Sequence, residues 1–308
     1  MNRVLRFALL GNPVGHSASP TMHRAAFRAL GLSHFYDPIA CPDQNSLANA
    51  MTALRRGYLA GANVTVPWKR TAMALVDEVD PSAEEAGAAN VLMRTAAGRV
   101  RALNTDVPAL VDELRSLGTG IGTAVIIGAG GAAAAAVAAC KVLGVRVVVM
   151  TTRSWLSSEA VYENPVAEAF RVKGVLTMPW PQFDPDRSKS HVSSAFRLQW
   201  HDMAASADLV LQATSAGLSG GEGAHAVAAL VPWSDMPASA VALDVMYGPR
   251  ETPFLAMARR TGLKSADGVG MLARQGALSL AAWLGVEPPV EVMRAAVLRY
   301  LKAGAAGA

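Results

Sequence analysis

The stretch VIIGAGGAAAAA, residues 125–136, joins a short apolar run to an alanine-rich segment through a glycine turn. Gly128, Gly130 and Ala133 stand in the G-x-G-x-x-G/A spacing, which alone is a weak signal. A predicted strand before the turn and a predicted helix after it strengthen that signal. Gly128 then permits a tight turn, and Gly130 lets a pyrophosphate approach the free N–H groups of the helix N-terminus. The stretch predicts a dinucleotide-binding unit; a glycine turn that only packs helix on strand is the alternative.

The next strand ends in TTRS, residues 151–154, and this ending bears on the choice between NAD and NADP. An NAD site needs an acidic residue about 20 positions after the glycines, where it binds the ribose 2′-hydroxyl. No acid stands at the end of this strand, but Arg153 does. Because a guanidinium can pair with a 2′-phosphate through two N–H donors, the sequence favours NADP.

Length and composition predict a soluble protein of two ordinary domains. The 308 residues are 52% hydrophobic, which is ample for a core in each domain. The net charge is +4 and the 28 basic residues are scattered, which argues against nucleic acid as a partner. Cys41 and Cys140 lie far apart, with no spacing typical of a metal site. We therefore expect two reduced core cysteines, no bound metal and a cytoplasmic location.

Two stretches without charge resemble membrane segments, but the first lacks the length and the second lacks the composition that such segments require. The N-terminal run stops at Leu10, before Gly11-Asn12-Pro13, and is too short for a secretory signal. Residues 116–140 carry no charge over about the length of a transmembrane helix. Because six of them are glycine, a strand, a tight turn and a helix explain the stretch better than a membrane span.

Strand-like and helix-like runs alternate along the chain, as in α/β proteins with a mostly parallel sheet. The first series reads RFALLG, TMHRAAFRALGL, AGANVTV and RTAMALVDEV. The second series follows VPALVDELRSLG and includes VRVVVMTT, DLVLQAT, AVALDVM and ETPFLAMARRTG, before two closing helix-like runs. We expect a domain boundary near Asp106 and the end of the second series near Gly268. Residues 155–203 do not follow the pattern, and a lid, an oligomer contact and a flexible excursion all stay open.

Eight motifs in order carry a resemblance to one enzyme family. They are GNPVGHSASPTMH (11–23), GANVTVPWK (61–69), GAANVL (87–92), NTD (104–106), VIIGAGGAA (125–133), ATSAGL (213–218), DVMYGPRETPFL (244–255) and ADGVGMLARQGA (266–277). This series resembles that of shikimate dehydrogenase. The resemblance implies an α/β substrate-binding domain over 1–106, completed by 269–308, and a Rossmann domain over 107–268 that binds NADP(H). Chemistry would take place in the cleft between them.

The resemblance also implies roles for single residues, with shikimate or 3-dehydroshikimate as the small-molecule substrate. Lys69 and Asp106 would form the catalytic pair. The substrate-binding residues would be Ser17, Ser19, Thr65, Lys69, Asn90, Asp106, Tyr247 and Gln275. The cofactor-binding residues would be Gly128, Ala129, Gly130, Gly131, Ala132, Thr152, Arg153, Ser154, Thr214, Ser215, Val245, Gly268 and Met271. A monomer and a homodimer are both left open.

Alternatives remain for some of these residues and for the activity. Without the resemblance, Lys69 is typical of a solvated surface lysine, and Ser19 could simply cap a helix that begins at Pro20. His16 and His23 are assigned to local structure. The activity could instead belong to a quinate/shikimate or aminoshikimate dehydrogenase, or the protein could be a non-catalytic NADP-binding sensor.

Departures from the family pattern concern mainly the cofactor. The usual asparagine before ATS is Gln212, and two usual glycines are Ala102 and Ala109. Where relatives carry a second arginine after the second Rossmann strand, this chain has Ser157. The sequence thus keeps one arginine of the usual pair, and we expect a preference for NADP that is less strict than in relatives with both.

Overall fold

The structure is a computed structural model that describes residues 3–118, 120–181, 194–216 and 222–306. Residues 182–193, part of the stretch without a predicted pattern, lie outside the described residues, as do the last two positions of the ATSAGL motif. Contacts divide the chain into two compact units, Met1–Ala109 with Val269–Ala308 and Leu110–Gly268. The first dividing point falls inside the helix that begins at Asp106.

Short strands and helices alternate through both units. The strands are β1 (Arg6–Gly11), β2 (Phe35–Ala40), β3 (Gly61–Val64), β4 (Glu78–Val79), β5 (Val91–Arg94), β6 (Val100–Leu103), β7 (Thr123–Ile127), β8 (Val147–Thr151), β9 (Leu176–Thr177), β10 (Leu209–Gln212), β11 (Val241–Asp244) and β12 (Lys264–Ala266). The helices are α1 (Ser19–Ala29), α2 (Gln44–Arg55), α3 (Lys69–Ala74), α4 (Pro81–Ala86), α5 (Asp106–Leu117), α6 (Gly131–Val142), α7 (Ser158–Tyr162), α8 (Pro165–Arg171), α9 (Ser194–Ala205), α10 (Glu222–Ala228), α11 (Pro253–Arg260), α12 (Val269–Leu284) and α13 (Val290–Ala306).

The described strands of the first unit form a sheet in the order β2-β1-β3-β5-β6-β4. β1 pairs in parallel with β2 and β3, and β4 pairs in parallel with β6. Only β5 is reversed, because it forms an antiparallel hairpin with β6 and also pairs with β3. The beginning of β5 therefore lies at the same edge of the sheet as the ends of β1, β3 and β6.

The run RTAMALVDEV, which its pattern predicts as one helix, is divided in the structure. α3 ends at Ala74, and Glu78–Val79 form β4 beside β6. Asp77 stabilises the transition from α3 to β4. Its Oδ2 accepts the Val100 N–H at 2.8 Å, and its Oδ1 lies 3.0 Å from Arg55 Nη2. Tertiary pairing with β6 thus outweighs the local helical pattern.

The second unit has a parallel sheet in the order β9-β8-β7-β10-β11-β12, within the part of the chain that the structure describes. This is the strand order of the dinucleotide-binding Rossmann fold. From β7 the chain adds strands first towards one edge of the sheet and then, from β10 onwards, towards the other, so β7 and β10 flank the topological switch point. Ligands of such sheets bind outside the carboxyl ends of the strands at that point, here after Ile127 and Gln212.

The described parts of residues 155–203 belong to the second unit. They form α7, α8, β9 and most of α9, and β9 extends the sheet beside β8. Trp155, Trp180 and Trp200 are all buried, and Trp200 Nε1 donates to the Leu230 carbonyl at 2.8 Å. The three tryptophans are therefore core residues of this unit.

The uncharged stretch 116–140 contains the end of α5, then β7, the glycine turn and most of α6. The prediction of a strand, a tight turn and a helix is thus confirmed. Within the described residues, no helix combines the length and apolar character that crossing a membrane requires. Cys41 and Cys140 are both buried, as predicted.

Candidate active site

Four connections of the first unit meet at one edge of its sheet. The ends of β1, β3 and β6 and the beginning of β5 lie at this edge. Ser17 follows β1, Lys69 follows β3, Asn90 precedes β5 and Asp106 follows β6. The fold therefore brings together Lys69, Asn90 and Asp106, which lie far apart in the sequence, and places Ser17 in the segment after the neighbouring strand β1.

Lys69 and Asp106 form an ion pair at this edge. Lys69 Nζ lies 2.7 Å from Asp106 Oδ2, and the two side chains are 21% and 9% exposed. Each residue is the first of a helix, Lys69 of α3 and Asp106 of α5. A carboxylate at a helix N-terminus is favoured by the helix dipole. The alternative interpretation of Lys69 as a solvated surface lysine is thus wrong.

Asn90 joins this ion pair to two other elements. It is buried, and its Nδ2 donates to Asp106 Oδ1 at 2.8 Å and to Thr105 Oγ1 at 3.0 Å. Its Oδ1 accepts the Thr105 N–H at 2.7 Å. Asn90 Nδ2 also lies 3.2 Å from Gln275 Oε1 on α12. Both oxygens of Asp106 are therefore occupied, one by Lys69 and the other by Asn90.

Asn104 holds Asp106 from the backbone side, and the sequence analysis did not assign it a role. Its Oδ1 accepts the N–H groups of Asp106 and Val107 at 3.0 and 3.1 Å, and its Nδ2 donates to the Ala88 carbonyl at 2.8 Å. An asparagine just before a helix is a recognised cap, so the NTD motif carried the signal.

Asn63 lies beneath this group and was also missed. It accepts the Tyr36 hydroxyl at 2.8 Å, and its Nδ2 donates to the Asn90 carbonyl at 3.1 Å and to Ser279 Oγ at 2.9 Å. Asn63 is buried within the apolar strand β3, and an asparagine in such a strand is the signal that could have found it.

The two serines of the first motif contact each other. Ser17 Oγ accepts the Ser19 N–H at 3.2 Å and donates to Ser19 Oγ at 3.1 Å. α1 begins at Ser19 and its N-cap residue is Ala18, so the alternative that Ser19 caps this helix is wrong. Because the hydrogen of a serine hydroxyl rotates freely, both hydroxyl groups can turn to donate to another acceptor. Thr65, another of the predicted substrate-binding residues, is half-buried and directly follows β3.

His23, in the same motif, is a core residue of the first unit. It is fully buried and stacks on Tyr36, with ring centroids 4.2 Å apart and an interplanar angle of 8°. Among the described residues, neither ring nitrogen has a hydrogen-bond partner. Burial lowers the pKa of His23 to about 3, against a smaller opposing effect of Asn63. The imidazole is therefore neutral near pH 7, and the prediction that His23 belongs to local structure is confirmed.

The glycine turn of the second unit leaves room where a pyrophosphate would bind. At Gly128, where φ is +123°, a Cβ would lie 2.8 Å from the Ala213 carbonyl oxygen, so only glycine fits. At Gly130, the N-cap of α6, a Cβ would meet no described atom within 4 Å apart from those of its own stretch of chain. Ala129, Gly131 and Ala132 complete this turn. These residues fit a dinucleotide, because a side chain at position 130 would fill the space over the helix N-terminus.

Thr152, Arg153 and Ser154 follow β8, and Arg153 and Ser154 are exposed. Nη1 of Arg153 would lie 3.2 Å from a Cβ at Gly223. Arg153 has no hydrogen bond or ion pair with another described residue, so its exposed guanidinium is available to an anion. Ser157 accepts the Ala160 N–H at 3.1 Å as the cap of α7. The serine that replaces the second arginine thus has a local structural role.

Thr214 and Ser215 follow β10, which lies on the opposite side of β7 from β8. Gln212 folds back on this turn, where its Oε1 accepts the Thr214 N–H and its Nε2 donates to the Thr214 carbonyl at 3.1 Å. Gln212, which replaces the usual asparagine, therefore stabilises the turn through two hydrogen bonds to the backbone of Thr214.

Val245 and Gly268 approach each other closely in the second unit. A Cβ at Gly268 would lie 2.1 Å from the Val245 carbonyl oxygen, which requires glycine there. Tyr247 is half-buried in the loop after β11, whereas Met271 is buried on α12 in the first unit.

Comparison with known proteins places this geometry in a family. Residues 9–92 match the model of the shikimate dehydrogenase substrate binding domain, and residues 268–298 match the shikimate 5′-dehydrogenase C-terminal domain. A shikimate dehydrogenase (NADP(+)) from Acidiphilium cryptum is 38% identical over 286 residues, 92% of this chain and 91% of the relative. The chain belongs to the shikimate dehydrogenase family. The prediction made from the eight motifs is thus confirmed.

Two further members of the shikimate dehydrogenase family agree with this assignment. A shikimate dehydrogenase (NADP(+)) from Geobacter metallireducens is 36% identical over 96% of each chain. The crystal structure of shikimate 5-dehydrogenase from Thermus thermophilus, in complex with NADP(H) and shikimate, is 32% identical with a TM-score of 0.77. It covers 97% of this chain and 100% of its own. The predicted two-domain α/β fold with a Rossmann domain is confirmed.

Proposed function

We propose that this protein is an NADP-dependent shikimate dehydrogenase, which reversibly reduces 3-dehydroshikimate to shikimate in the synthesis of chorismate and the aromatic amino acids. The observation that carries the proposal is the ion pair of Lys69 and Asp106 at 2.7 Å, with Asn90 on the second carboxylate oxygen. The relatives that match almost the whole chain carry the name of this activity.

Reduction of a ketone leaves negative charge growing on its oxygen, and Lys69 would meet that charge. A positioned ammonium can stabilise the oxygen and donate a proton to it. Asp106 holds the ammonium through Oδ2, while Asn90 prevents rotation of the carboxylate by donating to Oδ1. Bound NADPH would supply the hydride for the carbonyl carbon.

The substrate would be held by hydroxyl and amide groups, most of which belong to the first unit. Ser17 and Ser19 would donate to its carboxylate, together with the Tyr247 hydroxyl. Hydrogen bonds to an ionised acceptor are stronger than neutral ones, which suits this task. Thr65, Asn90 and Gln275 would bind the ring hydroxyls. Residues 1–106 with 269–308 would thus serve as the substrate domain.

Residues 107–268 would bind NADP. The open backbone at Gly130 and the available guanidinium of Arg153 support this proposal. Gly128, Ala129, Gly131 and Ala132 would surround the pyrophosphate with Gly130, whereas Thr152, Arg153 and Ser154 would take the 2′-phosphate. The nicotinamide end would lie near Thr214, Ser215, Val245, Gly268 and Met271. A cytoplasmic location, and a monomer or homodimer, complete the proposal.

Steady-state kinetics with shikimate and quinate, each with NADP and NAD, test this function. We expect the highest kcat/KM for shikimate with NADP, because two serines would crowd the carbon on which quinate carries its extra hydroxyl. A higher kcat/KM for quinate would assign the protein to the quinate/shikimate group instead. Absence of turnover with every pair, despite NADP binding, would contradict the enzymatic function and support a sensor.

A further inference from the structure

Asp244 is a fully buried carboxylate for which the proposed catalytic and binding residues leave no role. It is the last residue of β11 and has no solvent-exposed surface. Its Oδ1 accepts the Met246 N–H at 3.0 Å, and its Oδ2 accepts the Thr252 hydroxyl at 2.7 Å. One side chain therefore contacts both ends of the loop formed by residues 245–252.

The two donors of Asp244 also bind neighbouring parts of the second unit. Thr252 is the N-cap of α11, where its Oγ1 accepts the Leu255 N–H at 3.3 Å. The Met246 carbonyl accepts the Gly268 N–H at 3.0 Å. The carboxylate thus fixes the loop to the start of α11 and to the segment before α12. Tyr247 and Val245 lie on this loop.

Burial of this charge is not explained by stability. A buried carboxylate loses its hydration, and two hydrogen bonds offset this loss only in part. Burial raises the pKa of Asp244 to about 6, while Thr252 and Met246 lower it and the facing carboxylate of Asp267 raises it further. The side chain is therefore ionised at pH 7 and becomes protonated as the pH falls below about 6.

We propose that Asp244 is a positioning residue, whose carboxylate holds the loop 245–252 so that Tyr247 can bind the substrate carboxylate. The proposal rests on the function proposed above. Protonation or removal of the carboxylate weakens or removes its hydrogen bonds to Met246 and Thr252. The loop is then held less firmly, and the Tyr247 hydroxyl is in the position for substrate binding for a smaller fraction of the time. The loss falls on substrate binding more than on the rate of the bound complex.

Two sets of variants test this role. Asp244→Asn keeps the shape and removes the charge, whereas Thr252→Val removes the donor and Thr252→Ser retains it. We expect Asp244→Asn and Thr252→Val to raise the KM for shikimate about fivefold or more, with kcat changed less than about twofold. The KM for NADP should rise less than the KM for shikimate, because only the nicotinamide end of NADP would lie near Val245 and Gly268. Thr252→Ser should stay near wild type. In Asp244→Asn, the fall of kcat/KM below pH 6 should be smaller than in wild type.

Amide hydrogen exchange over residues 245–252 separates this proposal from the proposed function. If the wild type does not turn over shikimate, faster exchange in Asp244→Asn and Thr252→Val, but not in Thr252→Ser, would still support the hold on the loop. A wild-type KM for shikimate and an unchanged pH profile in an active Asp244→Asn enzyme would overturn the role. Unchanged amide exchange over residues 245–252 in Asp244→Asn and Thr252→Val would also overturn the role. If Asp244→Asn does not fold, the Thr252 pair decides by the same measurements.

Discussion

At the scale of single residues, the candidate catalytic pair depends on side chains that hold it in place. Asp106 accepts from Lys69 and Asn90 through different oxygens, and Asn104 fixes its backbone. The pair could be predicted from motif resemblance, since Lys69 and Asp106 stand in recognisable motifs. The contacts of Asn63 could not, because they depend on β3 lying beside β5 and on α12 returning to the first unit.

Ser17→Ala tests the binding of the substrate carboxylate. Because an ionised ligand would lose a charge-assisted hydrogen bond, we expect the KM for shikimate to rise about tenfold or more, with the KM for NADP unchanged. Ser17 also accepts the Ser19 N–H, so a structural effect must be separated. Ser157→Ala, which removes a hydroxyl cap in the second unit, is the control and should leave the KM for shikimate unchanged. A similar rise in both KM values for Ser17→Ala would contradict a direct role.

At the scale of elements, long periodic segments were predictable and short paired ones were not. The closing helices were predicted over GMLARQGALSLAAWLG and PVEVMRAAVLRYLKAG, and α12 and α13 lie within about two residues of those bounds. The strand β4 has only two residues, and its pairing with β6 replaced a predicted helical turn. Such short strands depend on a partner that sequence periodicity does not show.

The turn after β8 decides the cofactor preference, and Arg153→Ala tests it. We expect the KM for NADP to rise several-fold or more while kinetics with NAD stay nearly unchanged, because only NADP carries the 2′-phosphate. Since a phosphate contact is screened by ions, both cofactors are compared at one fixed salt concentration.

Arg171→Ala is the matched control for Arg153→Ala. Arg171 donates to the Val161 and Tyr162 carbonyls and pairs with Glu168, so it holds α7, α8 and their connection together. Its loss should lower stability without changing the ratio of NADP to NAD efficiency. A loss of NADP selectivity in Arg171→Ala, with none in Arg153→Ala, would show that Arg171 binds the 2′-phosphate and that Arg153 does not.

At the scale of the whole molecule, buried titratable groups make stability depend on pH. The pKa of His23 falls from 6.5 to about 3 on folding, so the unfolded chain binds a proton that the folded protein excludes. This group therefore removes stability as the pH falls from 6.5 towards 3. Asp244 acts in the opposite direction, because its raised pKa of about 6 lets the folded protein take up a proton first.

His23→Phe isolates the first of these effects, since Phe can keep the stack on Tyr36 and does not titrate. Between pH 6.5 and 5 we expect wild type to lose about 1.6 kcal/mol more free energy of unfolding than the variant. Urea denaturation of both proteins at several pH values measures this difference, and the contribution of Asp244 cancels between them. Equal pH dependence of the two proteins would show that His23 is not held neutral by burial.

The turnover of shikimate with NADP by wild type, Lys69→Ala and Arg70→Ala measures the proposed role of Lys69 in the reaction. Arg70 is the exposed cationic neighbour of Lys69 on α3 and serves as the matched control. We predict that wild type oxidises shikimate, that Lys69→Ala lowers kcat by roughly 10²-fold or more with a smaller effect on KM, and that Arg70→Ala stays near wild type. A Lys69→Ala enzyme with near-normal kcat would exclude the catalytic role of Lys69, and a folded wild type without turnover would exclude shikimate dehydrogenase activity.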